Sequence, residues 1–165
     1  IVLSKTGELL ADYAKIHPFS YGAEAKHYTG GDEICVCELE GVPYAPFICY
    51  DLRFPEIFQI ASRESWLISV IANWPVSRIP HWKALLQARA IENQCFMIGV
   101  NRCGSGGGLA VSPVGFLTSA PNGQLRYIPV SGQEPLEKLV DMTPSLLTKL
   151  ENILKKDNHQ ECSTN

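Results

Sequence analysis

The chain reads as an α/β layered fold built on one domain. Three observations predict it. Strand-like and helix-like stretches alternate through the middle of the sequence, and three of the strands are apolar almost throughout, as expected for strands covered on both faces. The 165 residues also suffice for one hydrophobic core and leave little for a second.

The first strand candidate is Ile1-Val2-Leu3, closed by a turn at Lys5-Thr6-Gly7. It has no initiator methionine and no polar lead-in, so the chain is expected to be cut from something longer. Residues 34–39 alternate, with Ile34 and Val36 opposite Cys35, Cys37 and Leu39. Gly41-Val42-Pro43 is expected to join them, as a hairpin, to a strand over 44–49. Further strands are expected over 67–73 and 95–101. A helix over 55–64 opens on Pro55, whose missing N–H costs nothing in the first turn. A second, over 81–93, follows Pro80 and carries Trp82, Leu85, Leu86 and Ala90 at helical spacing. Residues 103–130 are rich in Gly, Ser and Pro and read as loops and short edge strands, with a turn at Pro121-Asn122-Gly123. Thr143-Pro144 caps a last helix with a stripe of Leu146, Leu147, Leu150, Ile153 and Leu154. The domain is expected to span 1–154, and the polar tail 155–165 to fray.

Composition excludes several functions. Hydrophobic residues at 45% and charged residues at 19% rule out wholesale disorder. A net charge of −3 speaks against nucleic acid as a partner, because phosphate neutralisation needs a concentrated basic face. No apolar run approaches the ~20 residues that span a bilayer, so no membrane partner is expected. Nothing resembles a secretory signal. Six cysteines (Cys35, Cys37, Cys49, Cys95, Cys103, Cys162) could form three disulfides, but Cys35 and Cys37 share a strand face and cannot easily bridge. Zinc knuckles are missing and the histidines are scattered, so reduced thiols in a cytoplasmic protein are expected.

Cys49 stands apart. It ends an apolar strand and is followed at once by Tyr50-Asp51-Leu52-Arg53-Phe54-Pro55-Glu56. A nucleophile at such a strand-to-helix turn is held exposed, with backbone N–H groups beside it to meet an oxyanion. This is the thiol counterpart of the serine elbow of hydrolases. From spacing alone, an inert buried cysteine at a strand end fits as well. Arg53 and Asp51 could form a local ion pair, and a basic neighbour would favour the thiolate. Read alone, Lys15 and Glu24 are solvated charges and His17 is a packed loop histidine. Gly104-Ser105-Gly106-Gly107-Gly108 lacks the Lys-Ser/Thr step of a phosphate cradle.

Four motifs taken together resemble the nitrilase (carbon–nitrogen hydrolase) superfamily. They are Tyr-x-Lys-x-His-x-Phe over 13–19, Ile48-Cys49-Tyr50-Asp51-Leu52-Arg53-Phe54-Pro55-Glu56, Ala72-Asn73-Trp74-Pro75, and Ala88-Arg89-Ala90-Ile91-Glu92-Asn93. With His81-Trp82-Lys83-Ala84-Leu85-Leu86, the chain is most similar to the omega-amidase branch. The resemblance implies a four-layer α-β-β-α sandwich and a Glu-Lys-Cys triad with a second glutamate. Cys49 matches the nucleophile, Lys15 the lysine that stabilises the oxyanion, and Glu24 the second glutamate. The N–H of Tyr50 completes the oxyanion hole and Trp74 falls where the family lines its pocket. A basic group such as Lys15, Arg53 or Arg78 would meet an acidic substrate.

The implied reaction hydrolyses a small omega-amide such as 2-oxoglutaramate through a cysteinyl thioester. It releases ammonia and needs no metal or organic cofactor. The alternatives are another small amide, a carbamoyl compound or a nitrile as substrate, and a non-catalytic interaction module. Family partners are further copies of the chain, as dimers or larger assemblies packed through the helices at 55–64 and 81–93. Two features depart from the pattern. The triad glutamate would precede Ile1, so the fold is expected to be incomplete and this chain alone inactive. Pro113-Val114-Gly115-Phe116, within 111–120, does not register with the Gly-x-Ser step common before the Pro-x-Gly turn.

Overall fold

The computed structural model describes residues 1–21 and 23–102, and the backbone of four short strands between 104 and 128. The chain divides into two compact units, Ile1–Val130 and Ser131–Asn165, and every described residue lies in the first. The helix expected at 143–154, the tail 155–165, Cys103, Cys162 and the turn at Pro121-Asn122-Gly123 lie outside the described residues.

In chain order the elements begin with β1 (Val2–Leu3) and β2 (Leu9–Ala11), an antiparallel pair, then the short helix α1 (Glu24–His27). β3 (Cys37–Leu39) and β4 (Val42–Ile48) follow, then a 3-10 turn over Cys49–Arg53 and helix α2 (Pro55–Ala61). β5 (Leu67–Ala72) leads through a second 3-10 turn, Val76–Arg78, into helix α3 (Ile79–Asn93) and then β6 (Phe96–Asn101). β7 (Gly104–Gly106) and β8 (Leu109–Val111) pair with one another. β9 (Phe116–Ser119) and β10 (Leu125–Ile128) complete a six-stranded sheet of order β10-β9-β6-β5-β4-β3.

The centre of that sheet is parallel, β4 to β5 to β6, and each crossover carries a helix, α2 and then α3. Register sets Ala45, Ile68 and Met97 side by side, and Phe47, Val70 and Gly99 in the next row. These rows meet Ile57, Phe58 and Ala61 of α2 and Trp82, Leu86 and Ala90 of α3 in one buried cluster. Gly99 is where α3 comes closest. A β-carbon there would overlap Leu86 and stand 2.8 Å from a ring carbon of Trp82.

The other face of the sheet is less covered. Among the described residues Ile71 is 53% exposed and its register partner Val100 is 37% exposed. Strands apolar on both faces are therefore fully packed here on one face only. Of the expected four layers, the described residues form one helical layer on one large sheet, the mixed α/β arrangement that the sequence predicts.

Several boundaries differ from the sequence reading, each for a local reason. Gly41-Val42-Pro43 is not the hairpin connection. Glu40 and Gly41, at φ of 50° and 82°, make a two-residue turn, while Val42 and Pro43 already pair with Leu39 and Glu38. The strand expected over 34–39 pairs only from Cys37 onward. α2 stops at Ala61, whose carbonyl accepts bonds from the Ser65 hydroxyl and N–H. α3 starts two residues early, because Pro80 fits inside its first turn, and it ends on Gln94 in the left-handed region. β9 is not an edge strand: it pairs with β6 and extends the main sheet.

Gly99→Ala is expected to lower stability by ~1–3 kcal/mol, the usual cost of overpacking a close contact. The measurement is a fall in the urea midpoint with an unchanged slope.

Candidate active site

β4 ends at Ile48, and Cys49 turns the chain at φ +49°, in the left-handed region that side chains rarely adopt. The 3-10 turn that follows has no acceptor of its own for its first two N–H groups, those of Cys49 and Tyr50. The turn thus places the thiol beside two N–H groups that the turn itself leaves unpaired. Its far end is held by Arg89 of α3, a buried side chain whose guanidinium donates to the Leu52 carbonyl at 3.0 Å and pairs with Glu92 at 2.7 Å.

Asp51, two residues after the thiol, is completely buried and carries four hydrogen bonds. Oδ2 accepts from the Tyr13 hydroxyl at 2.8 Å and from the Ile48 N–H at 3.2 Å. Oδ1 accepts from the His17 N–H at 2.9 Å and lies 3.1 Å from His17 Nδ1, which therefore carries its proton on that nitrogen. The His17 ring is stacked on Phe54 with centroids 3.6 Å apart, so it is the packed histidine expected. Burial, with Asp51 alongside, holds the Tyr13 phenol far above its ordinary range and keeps it a donor.

Between those two anchors lies Lys15. Its ammonium pairs with both Glu24 oxygens, at 2.7 and 3.0 Å, and its side chain is only 12% exposed. Glu24 also accepts the Phe19 N–H at 3.2 Å. Neither charge is the solvated one that each would be if read alone. Burial pushes the Cys49 thiol up. Lys15 and a backbone hydrogen bond from Asn73 pull it back down, while Glu24 and Asp51 add to the rise. The thiol, the lysine and both carboxylates therefore act on one another, and the thiol rests in its neutral form.

Arg53 corrects the sequence reading. It does not pair with Asp51, whose oxygens are filled by other donors. Its guanidinium instead lies over the Trp74 ring, 5.1 Å from the centroid, and 3.5 Å from His81 Nδ1. The cation acting on the thiol is Lys15. Trp74 is itself 3% exposed. Its N–H donates to Asn101 at 2.7 Å, its carbonyl accepts from Asn101 at 3.0 Å, and its indole donates to the Arg78 carbonyl at 2.8 Å. Asn101 and Asp51 escaped the sequence reading as site residues. The i±2 spacing of Tyr13 and His17 about Lys15 was the one available signal for the anchoring.

Among the described residues no group of three or more His, Cys, Asp or Glu side chains could hold a metal ion. No helix of the described residues is long and apolar enough to cross a membrane.

Residues 1–129 match the carbon–nitrogen hydrolase family. The chain is 41% identical over 105 residues to a 2-oxoglutaramate amidase of Bacillus subtilis, covering 63% of this chain and 40% of that protein. It is 42% identical over 106 residues to the omega-amidase YafV of Escherichia coli, covering 64% and 41%. It thus spans about two-fifths of the length of these relatives. Among solved structures it is similar to a mutant amidase of Nesterenkonia sp. AN1, at 30% identity and a TM-score of 0.65, covering 74% of this chain and 47% of that one. That crystal shows the acetamide moiety of fluoroacetamide added covalently at the active-site cysteine. With the nitrilase-superfamily fold, the elbow and the Lys15–Glu24 pair in place, the chain belongs to the carbon–nitrogen hydrolase family.

Proposed function

We propose that this chain contributes the nucleophile and the oxyanion-binding groups of an amidase that acts on a small omega-amide such as 2-oxoglutaramate. The observation that carries the reading is a cysteine at a strand-to-turn elbow, within electrostatic reach of a lysine that the Glu24 carboxylate holds in place. The names of the similar amidases support the substrate class.

In this reading the Cys49 thiol gives up its proton as sulfur attacks the amide carbon. The carbonyl becomes an oxyanion met by the Lys15 ammonium and the Tyr50 N–H. The C–N bond then breaks, nitrogen takes a proton and leaves as ammonia, and water cleaves the thioester to the acid. Glu24 orients Lys15. Because burial keeps the thiol neutral, attack requires a base. We assign that step to the triad glutamate of the family, a role that we give to no residue of this chain. The 165-residue chain alone is therefore expected to turn over slowly, since losing one member of such a catalytic unit costs ~10⁴ or more in rate.

Arg53, braced on Trp74 beside His81, is the group we assign to the substrate's carboxylate. We further read the protein as cytoplasmic, which the free thiols of Cys35, Cys37, Cys49 and Cys95 support. A homo-oligomer joined through α2 and α3 is supported by Ile60 and Ile91, which are 52% and 45% exposed on those helices.

Two outcomes test the reading. In the complete protein, Cys49→Ala should abolish ammonia release from 2-oxoglutaramate, and Lys15→Met should lower kcat by ~10²-fold or more, the worth of an oxyanion donor. Retained turnover in either variant overturns the assignment. In the 165-residue chain, iodoacetamide at pH 8 should label Cys49 well before Cys95, whose thiol burial has pushed up to about 12. Equally slow labelling of both would instead fit a non-catalytic module.

A further inference from the structure

We propose that Asp51 is a positioning residue, which sets the approach of the Lys15 ammonium to the Cys49 thiol by holding residues on both sides of the lysine and the backbone beside the thiol. The proposal rests on the roles assigned above to Lys15 and Cys49, and it gives a task to a buried carboxylate that the reaction itself does not use.

The grip is visible bond by bond. Tyr13 and His17 lie two residues before and two residues after Lys15, and both donate to Asp51. Ile48, immediately before Cys49, donates to the same carboxylate, and Asp51 itself sits two residues after Cys49. The segment around Lys15 belongs to no helix or strand, so no ladder of backbone bonds fixes its distance from β4. At the lysine itself, Gly31 donates to the Lys15 carbonyl, a bond that ties loop to loop and leaves the elbow out. Among the described residues, Asp51 links the lysine segment directly to the elbow by hydrogen bonds.

A merely electrostatic role and a positioning role differ in sign. The charged groups acting on the Cys49 thiol are Lys15, Glu24 and Asp51, and Asp51 disfavours the thiolate. If Asp51 acted only through its charge, neutralising it would make Cys49 easier to ionise. If it holds Lys15 in place, neutralising it lets the ammonium drift and makes Cys49 harder to ionise. Asn at position 51 keeps one acceptor oxygen but turns an NH₂ group toward donors, so it breaks the grip while conserving volume.

The experiment follows the pH dependence of Cys49 alkylation by iodoacetamide, read by mass spectrometry of the Cys49 peptide in the 165-residue chain. Asp51→Asn should move the midpoint to higher pH by ~0.5–1 unit, the scale of a weakened charge contact. Tyr13→Phe, which keeps the ring against Phe47 and removes one donor, should move it the same way by less. In a Lys15→Met background the Tyr13→Phe shift should vanish and the Asp51→Asn shift should vanish or reverse. A shift to lower pH for Asp51→Asn with Lys15 present overturns the proposal, as does an upward shift that survives Lys15→Met. If circular dichroism shows that Asp51→Asn does not fold, Tyr13→Phe decides alone. A Lys15→Met profile identical to the parent's overturns the role of Lys15 and this proposal with it. A displaced Lys15→Met profile with Asp51→Asn and Tyr13→Phe unmoved overturns this proposal alone.

Discussion

A carboxylate with no exposure to water costs several kcal/mol unless donors surround it. Asp51 meets that condition with four, drawn from Tyr13, His17 and Ile48. Each donor that satisfies the charge also brings a distant piece of chain to the end of β4. The energetic requirement and the geometric result are one fact: the segment of residues 13–17 has nowhere else to go. Around this hub the aromatic rings close in order, Tyr13 edge-on to Phe47, His17 flat on Phe54, and Tyr50 edge-on to Phe54 and Phe19. The helical layer completes the support, since Arg89 reaches from α3 to the Leu52 carbonyl.

The electrostatics around the thiol are a contest rather than a simple activation. Burial and two carboxylates favour the neutral form, and a lysine with a backbone donor favours the anion. Lys15 is itself committed to Glu24, so part of its field is already spent on a partner. That balance suits a nucleophile that is deprotonated during attack better than one that waits as a thiolate. It also spares the resting thiol from indiscriminate alkylation and oxidation.

Much of the fold was legible in the residues, and the failures have physical causes. The near-continuous apolar runs of β5 and β6 were placed within a residue at each end, because a buried parallel strand leaves a run that little else produces. The hairpin was expected but its turn was set too late, because Glu40 accepts a positive φ for which its side chain gives no hint, and Gly41 carried only half of the signal. For the site, the strand-end cysteine and its motif pointed to Cys49, while the partners did not follow from spacing. Asp51 and Arg53 are two apart in a tight turn and carry opposite charges, yet a 3-10 turn points them to different sides, one to the core and one to Trp74. Asn101 clasps Trp74 across 27 positions of sequence, a separation at which no local pattern can speak.

At position 49 the backbone and the side chain make opposite demands. A left-handed φ is cheap for glycine and costs ~1–2 kcal/mol for any residue with a β-carbon. A sulfur at this position can be attached only through such a carbon. Backbone stability alone would favour glycine at this elbow, so in the proposed reading a reactive side chain at position 49 comes at the expense of robustness.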